Sequence, residues 1–217
     1  MTRGERKRRF EAADVYPVIT GAFCAGRASL DVLEQALAGG ARIVQLREKG
    51  KGREELLALA REFRRLCDRH QALFIVNDDV DLALASAADG VHLGQEDTPL
   101  SEARRQAPEL ILGQSTHNRE EVLRAQTQDA DYLNLGPVFA TATKGPGMSA
   151  LGLAGLEALL PLVKIPFTVM GGIHADNLEA VVRLGCRRVA MVTEITQAPD
   201  VAARVRELRR VIWDAAG

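Results

Sequence analysis

Asp78 and Asp97 are the residues from which a chemistry can first be built. Each ends a short polar cluster or stands inside one, Asn77-Asp78-Asp79 and Gly94-Gln95-Glu96-Asp97, directly after an apolar, β-branched run. Two carboxylates, completed by water and by the oxygens of a phosphorylated substrate, suit Mg²⁺, which keeps several waters and seldom takes a full protein cage. Arg47, Lys49 and Lys144 hold comparable positions after other such runs. Arginine offers a flat fork to phosphate and lysine a point charge. Three cations set against two acids describe a Mg-diphosphate site. Taken singly, each has a plainer reading. An aspartate beside a helix caps it, Asp79 more readily than Asp78, which has Asp97 as a companion, and a lone cation is a solvated surface charge. Gly171-Gly172 adds a second anion site of another kind, made from backbone N–H groups ahead of a helix. Two phosphorylated substrates, or one long one, would fill both.

The elements that must position these groups follow one repeating grammar, a short β-branched run and then a longer segment of helical periodicity. The expected strands are Val15–Thr20, Arg42–Leu46, Leu73–Val76, Gly90–Leu93, Leu110–Gly113, Tyr132–Gly136, Phe167–Met170 and Arg188–Val192. Between and after them, helices are expected at Ser29–Ala38, Arg53–His70, Asp79–Ala87, Pro99–Ala107, Arg119–Thr127, Gly155–Leu160, Ala175–Leu184 and Asp200–Trp213. Asn118 precedes one helix, Asp176 and Asp200 stand in first turns, and Gly39-Gly40 and Gly185 follow helix ends. Strict alternation means a parallel sheet with helical crossovers. Eight repeats without a GxGxxG turn favour a closed barrel over an open sheet, so the expectation is an α/β protein, a single (β/α)8 TIM barrel. It would be one domain over residues 1–217, with residues 1–13 a basic N-terminal helix or tail. On that plan the polar clusters gather on the C-terminal rim of the strands, where barrel active sites are built. The Gly- and Pro-containing segment from Gly136 to Gly147 is the one long irregular loop on this rim.

Composition narrows the partners. The chain has 217 residues with formal net charge −1, which gives no global attraction to nucleic acid or an anionic membrane. Small-molecule substrates are expected instead. No segment approaches the ~18 apolar residues of a membrane span, and the basic start, Thr2 to Arg9, lacks the apolar stretch of a secretory signal. Cys24, Cys67 and Cys186 are odd in number and without CxxC spacing, which reads as reduced and structural in a cytoplasmic protein. Oligomeric state is not legible.

Read together, Gln45-Leu46-Arg47-Glu48-Lys49, Asn77-Asp78-Asp79, Gly90-Val91-His92-Leu93-Gly94-Gln95-Glu96-Asp97, Gly136-Pro137-Val138-Phe139 with Thr141-Ala142-Thr143-Lys144, and Gly171-Gly172-Ile173 resemble the motif series of thiamine-phosphate synthases, in family order. The resemblance spans about Val15 to Trp213. It implies that Gln45, Arg47, Lys49, Asn77, Ser115 and Lys144 hold an aminopyrimidine and its diphosphate. Arg47, Lys49, Ser115 and Lys144 would act in catalysis and Asp78 and Asp97 would bind Mg²⁺. Thr141, Thr143, Gly172, Val192 and Thr193 would hold a thiazole phosphate. In the family, diphosphate departs first and the thiazole nitrogen captures the resulting pyrimidine methylene cation. Such a route calls for neutralised leaving-group charge and for no strong general base. His117 reads as a rim or packing histidine, His92 as structural, and His70 and His174 as surface residues. Three positions depart from the family: Ala140 where proline is frequent, Thr193 for serine, and Glu194 where a small residue is usual. A carboxylate beside a phosphate site is unfavourable unless it points away or pairs with a cation. Two other readings stay open, a thiazole tautomerase-like isomerase using His117, and a non-catalytic phosphate-binding barrel.

Overall fold

In the computed structural model, which describes residues 1–141 and 149–215, eight parallel strands close on themselves in the order of the chain. The strands are β1 Val15–Ile19, β2 Ile43–Leu46, β3 Leu73–Asn77, β4 Gly90–Leu93, β5 Ile111–Thr116, β6 Tyr132–Leu135, β7 Phe167–Met170 and β8 Val189–Met191. Helix α1, Arg3–Glu11, precedes the first strand. The crossovers carry α2 Ser29–Ala38, α3 Arg53–Arg69, α4 Val80–Ala85, α5 Leu100–Gln106, α6 Arg119–Thr127, α7 Gly152–Leu159 and α8 Ala175–Arg183. A short α9, Thr193–Thr196, and α10, Val201–Ala215, follow the last strand.

Alternation along each strand sorts side chains into two packed layers. Val44, Leu46, Phe74, Val76, Leu133 and Leu135 face the helices and join the outer core. Tyr16, Val18, Ile43, Ile75, Ile111 and Tyr132 fill the interior of the barrel. Helix α3 supplies the matching stripe, burying Ala60, Phe63 and Cys67 at helical spacing. Each such Leu, Ile, Val or Phe contributes roughly 1.5–3 kcal/mol by leaving water.

The floor of the barrel is closed by charge and by one aromatic contact. Asp89, 2% exposed, accepts from the Phe74 N–H at 2.9 Å and the Arg64 guanidinium at 2.6 Å, while Arg6 of α1 reaches its other oxygen at 3.2 Å. Asp131, 1% exposed, accepts from the Leu112 N–H at 2.9 Å, from Arg104, and from Arg3 of α1 at 2.8 Å. Phe10 of α1 stacks on Tyr132 at 4.2 Å between ring centroids. The basic N-terminal segment is thus a helix that seals the barrel, capped by the Thr2 hydroxyl accepting from the Glu5 N–H.

Several boundaries differ from the sequence expectation. Strand β5 runs on to Thr116, so Ser115 lies inside the sheet and not in a loop after it. Asn77 likewise ends β3. Asp200 lies ahead of α10, where it accepts from the Ala203 N–H at 2.8 Å, and not in the first turn. Helix α9 was not expected, because a single turn has no periodicity to read.

None of the described helices is long and apolar enough to cross a membrane. All three cysteines are buried, and burial pushes the Cys67 and Cys186 thiols up to about 12. A thiol-reactive disulfide at pH 8 should therefore label none of the three in the folded protein and all three after denaturation. Unfolded thiols ionise from about pH 8.5 while these two stay protonated in the fold. The unfolded state then binds fewer protons, so stability should fall as pH rises beyond that point.

Candidate active site

At the C-terminal rim, Asn77-Asp78-Asp79 divides its work. Asp79 caps α4, its Oδ1 accepting from the Leu82 N–H at 2.7 Å. Asp78 does not cap. It takes the left-handed conformation, φ 64°, with its N–H donating to the His92 carbonyl at 2.8 Å. That turn sends Asp78 into a cavity of 470 Å³ whose walls include Arg47, Lys49, Asp97, Ser115 and His117. Asp97 is steadied by the Gly94 N–H, which donates to its Oδ2 at 2.6 Å. Burial first, and then the facing Asp97 carboxyl, push Asp78 up to about 6 against the opposing pull of Lys49 and Arg47. Two acids that repel each other beside two cations are a place for a divalent ion and an anionic ligand together. Among the described residues no three His, Cys, Asp or Glu side chains form a metal cluster. The donor set therefore fits Mg²⁺ completed by water and substrate oxygens, and does not fit a metal caged by protein.

This cavity continues inward. Arg47, Asn77, His92 and Ser115 also line a narrow waist of 50 Å³ whose other walls include Val18, Gln45, Asn134, Pro137 and Met170. Thr141, Met170, Gly171 and Val192 then line both the waist and a third cavity of 290 Å³ with Gly172, His174, Thr193 and Glu194. The three share wall residues and form one cleft with a cationic, acid-bearing end, a narrow middle and a glycine-containing end. A concavity of 390 Å³ also lies under the barrel floor. Its charged groups are spent on the fold: Arg188 bonds the Phe167 and Glu11 carbonyls, and Asp14 bonds Arg209 and Trp213.

The third cavity needs glycine. Gly171 and Gly172 have φ 104° and 60°, and a Cβ there would lie 2.5 Å from Pro137 and from the Ala140 carbonyl. Helix α8 begins only at Ala175, so Gly171-Gly172 is a cup three residues ahead of it and not the helix start itself. Glu194 is neutralised where it stands: His174 Nδ1 lies 2.9 Å from its carboxylate and Arg204 3.3 Å. His174 is exposed, as the sequence reading has it, and also lines the cleft.

Inside the barrel, polar side chains form a continuous relay. The Gln45 amide donates to the Tyr16 hydroxyl at 2.9 Å, and Tyr16 lies 3.3 Å from the Tyr132 hydroxyl. Tyr132 is 3.1 Å from His92 Nδ1, and His92 Nε2 is 3.0 Å from Ser115 Oγ. Burial raises both phenols above their ordinary range, so the hydroxyls stay neutral. An amide nitrogen only donates. With every buried group satisfied, Tyr16 then donates to Tyr132, Tyr132 to His92 Nδ1, and His92 Nε2–H to Ser115. On this polarity Ser115 accepts from His92 and has its own hydrogen left to donate. His92 is therefore a cleft-wall residue that orients Ser115, which the apolar run around it concealed. Tyr132→Phe keeps the stack on Phe10 and removes one link. Turnover should fall roughly tenfold, about 1.4 kcal/mol, with little change in melting temperature; steady-state kinetics and thermal melts check this.

The profile of the thiamine monophosphate synthase family matches residues 15–195. The chain belongs to the thiamine monophosphate synthase family. It is 45% identical over 205 residues to the thiamine-phosphate synthase of Moorella thermoacetica, covering 94% of this chain and 98% of that one. It is 42% identical to that of Chloroflexus aurantiacus, over 91% and 92% of the two chains. A solved thiamine phosphate pyrophosphorylase from Pyrococcus furiosus superposes with TM-score 0.88 at 36% identity, over 97% of this chain and all of that one. For this member of the thiamine monophosphate synthase family, the cleft brings together Gln45, Arg47, Lys49, Asn77, Asp78, Asp97, Ser115, Thr141, Gly172, Val192 and Thr193. Thr143 and Lys144 lie outside the described residues. Sequence reading missed Asn134 and Met170 of the waist, and read His117 as a rim or packing histidine, which fits its place. His117 lines the acid-bearing cavity, its Nδ1 pinned 2.7 Å from Glu121.

Proposed function

We propose that this chain is a thiamine-phosphate synthase, joining a 4-amino-5-hydroxymethylpyrimidine diphosphate to a hydroxyethylthiazole phosphate, or its carboxylated form, with release of diphosphate. The observation that carries the reading is that three cavities share wall residues and run as one cleft, from an end lined by Arg47, Lys49, Asp78 and Asp97, through a narrow waist, to an end lined by Gly171, Gly172 and Thr193. Two phosphorylated heterocycles laid end to end would bring their reacting atoms together in that waist.

Arg47, Lys49 and Lys144 would hold the diphosphate and neutralise the charge that grows as its C–O bond breaks. Asp78 and Asp97 would hold Mg²⁺, which when bound supplies Lewis-acid stabilisation of the leaving oxygens. Gln45, Asn77 and Ser115 would orient the pyrimidine, Ser115 with the hydrogen that the relay leaves it to donate. Thr141, Thr143, Gly172, Val192 and Thr193 would seat the thiazole phosphate in the glycine cup. The carbon–oxygen electron pair leaves with diphosphate and the thiazole nitrogen lone pair forms the new C–N bond, so with hydroxyethylthiazole phosphate no proton needs to move; the carboxylated form would in addition lose CO2 and take up a proton in its place. Small-molecule substrates and reduced thiols accord with a cytoplasmic setting.

The test is diphosphate release with both substrates, with Mg²⁺ and with chelator. Release that requires all three components, with thiamine phosphate appearing in step, supports the reading; folded protein that releases none overturns it.

A further inference from the structure

The inward side chains of β6 are Tyr132 and Asn134, since Leu133 and Leu135 pack outward. Tyr132 is tied into the relay. Asn134 is not. It is 5% exposed, beside Gln45, Ser115, His92 and Met170 in the waist. Its Oδ1 is buried and has no hydrogen-bond partner among the described residues. The other orphaned side-chain atom among them is Nε of Arg64, whose terminal nitrogens are engaged by Asp89 and Asp68 on the floor. Of these two buried orphans, Asn134 Oδ1 is the one in the substrate cleft. A buried acceptor left unpaired costs about 1–3 kcal/mol, a cost that a ligand donor removes.

The two proposed substrates supply few donors. The carbon and nitrogen framework of the thiazole phosphate carries no N–H. The pyrimidine carries one N–H group, its exocyclic 4-amine. Beside that amine sits a ring nitrogen, so an amine–nitrogen edge is complementary to a carboxamide, which offers an acceptor and a donor side by side. We infer that Asn134 reads the 4-amino edge of the pyrimidine, its Oδ1 accepting from the amine, and so sets specificity for an aminopyrimidine over its deaminated counterpart. This rests on the proposed function and adds a specificity-determining residue to it.

Binding is the suitable readout, because the amine also feeds electrons to the developing cation and would change turnover by itself. Calorimetry would give Kd for the 4-amino pyrimidine diphosphate and for the 4-hydrogen analogue, on the parent protein and on Asn134→Leu. Leucine matches the volume and removes the orphan, so the free variant should melt no lower than the parent; Asn134→Ala is the smaller second variant. The parent should prefer the amino compound on the order of tenfold or more, and both variants should lose that preference while binding the 4-hydrogen analogue as the parent does. Equal weakening toward both ligands, or an undiminished preference, overturns the assignment. A parent that binds the amino compound without turning it over refutes the synthase reading and still decides the role of Asn134. A parent that binds neither refutes both.

Discussion

Asp78→Asn should remove nearly all turnover and leave the fold intact. Asparagine tolerates the left-handed backbone of Asp78, φ 64°, where alanine would add strain. It keeps the shape and discards one of the two facing carboxylates. The expected loss in kcat/KM is on the order of 10²–10³-fold, the scale for removing one electrostatic element from a charge-stabilising site. The variant should need more Mg²⁺ to reach its residual rate. Without metal, the parent holds two repelling acids in a half-buried place, with Asp78 raised to about 6. Removing one should leave the melting temperature unchanged or higher. Steady-state kinetics over a Mg²⁺ series, with thermal melts in chelator, checks both halves. Parent-like turnover would remove the metal assignment, and collapse of the fold would make Asp78 structural.

The second large effect lies at the opposite end. Asp131→Ala should destabilise the protein by about 3–5 kcal/mol, the cost of breaking a buried charge network by deleting one partner. The Leu112 N–H loses its side-chain acceptor, and Arg104 and Arg3 each lose their buried carboxylate and keep the more exposed Asp129. For a chain of this size that is a fall of roughly 6–20 °C in melting temperature. Activity per folded molecule should suffer far less than in Asp78→Asn. A melting temperature close to the parent's would mean that the floor does not depend on this carboxylate. The two variants separate the faces of the barrel, the rim that carries chemistry and the floor that carries stability.

How much of this was legible follows from what a local pattern can carry. Strands such as Gly90–Leu93 and Phe167–Met170 read directly, because buried parallel strands are continuous apolar runs between turn signals. The polar half of β5, Gln114-Ser115-Thr116, did not, because nothing in the run tells a polar side chain inside a barrel from one in a loop. Asn134 and His92 were hidden for the same reason. Whether an inward position faces packed core or ligand space depends on neighbouring strands, here on the pairing of Asn134 with Ser115 and Thr168. Asp78 and Asp79 posed an ambiguity that only φ resolved, one turning to the cleft and the other capping. Glu194 looked like a defect in a phosphate site until His174 and Arg204, from other elements, were found beside it.

The sealing helix also bears on how the protein is made. Arg3 waits for Asp131, a partner 128 residues later in the chain, and Arg6 for Asp89, 83 residues later. At ordinary ribosomal speeds of about 5–20 residues per second, the first of these gaps lasts roughly 6–25 s. Until Asp89 is made a strongly basic helix travels without either acid, and until Asp131 with Asp89 alone of the two, beside a nascent half-barrel whose first strand still lacks its last neighbour, β8. Closure of the barrel and seating of Phe10 under Tyr132 then become late, joint events of synthesis. An incomplete chain ending before Asp89 would be an open sheet with a free cationic arm, the form most exposed to mispairing and to capture by nascent-chain chaperones.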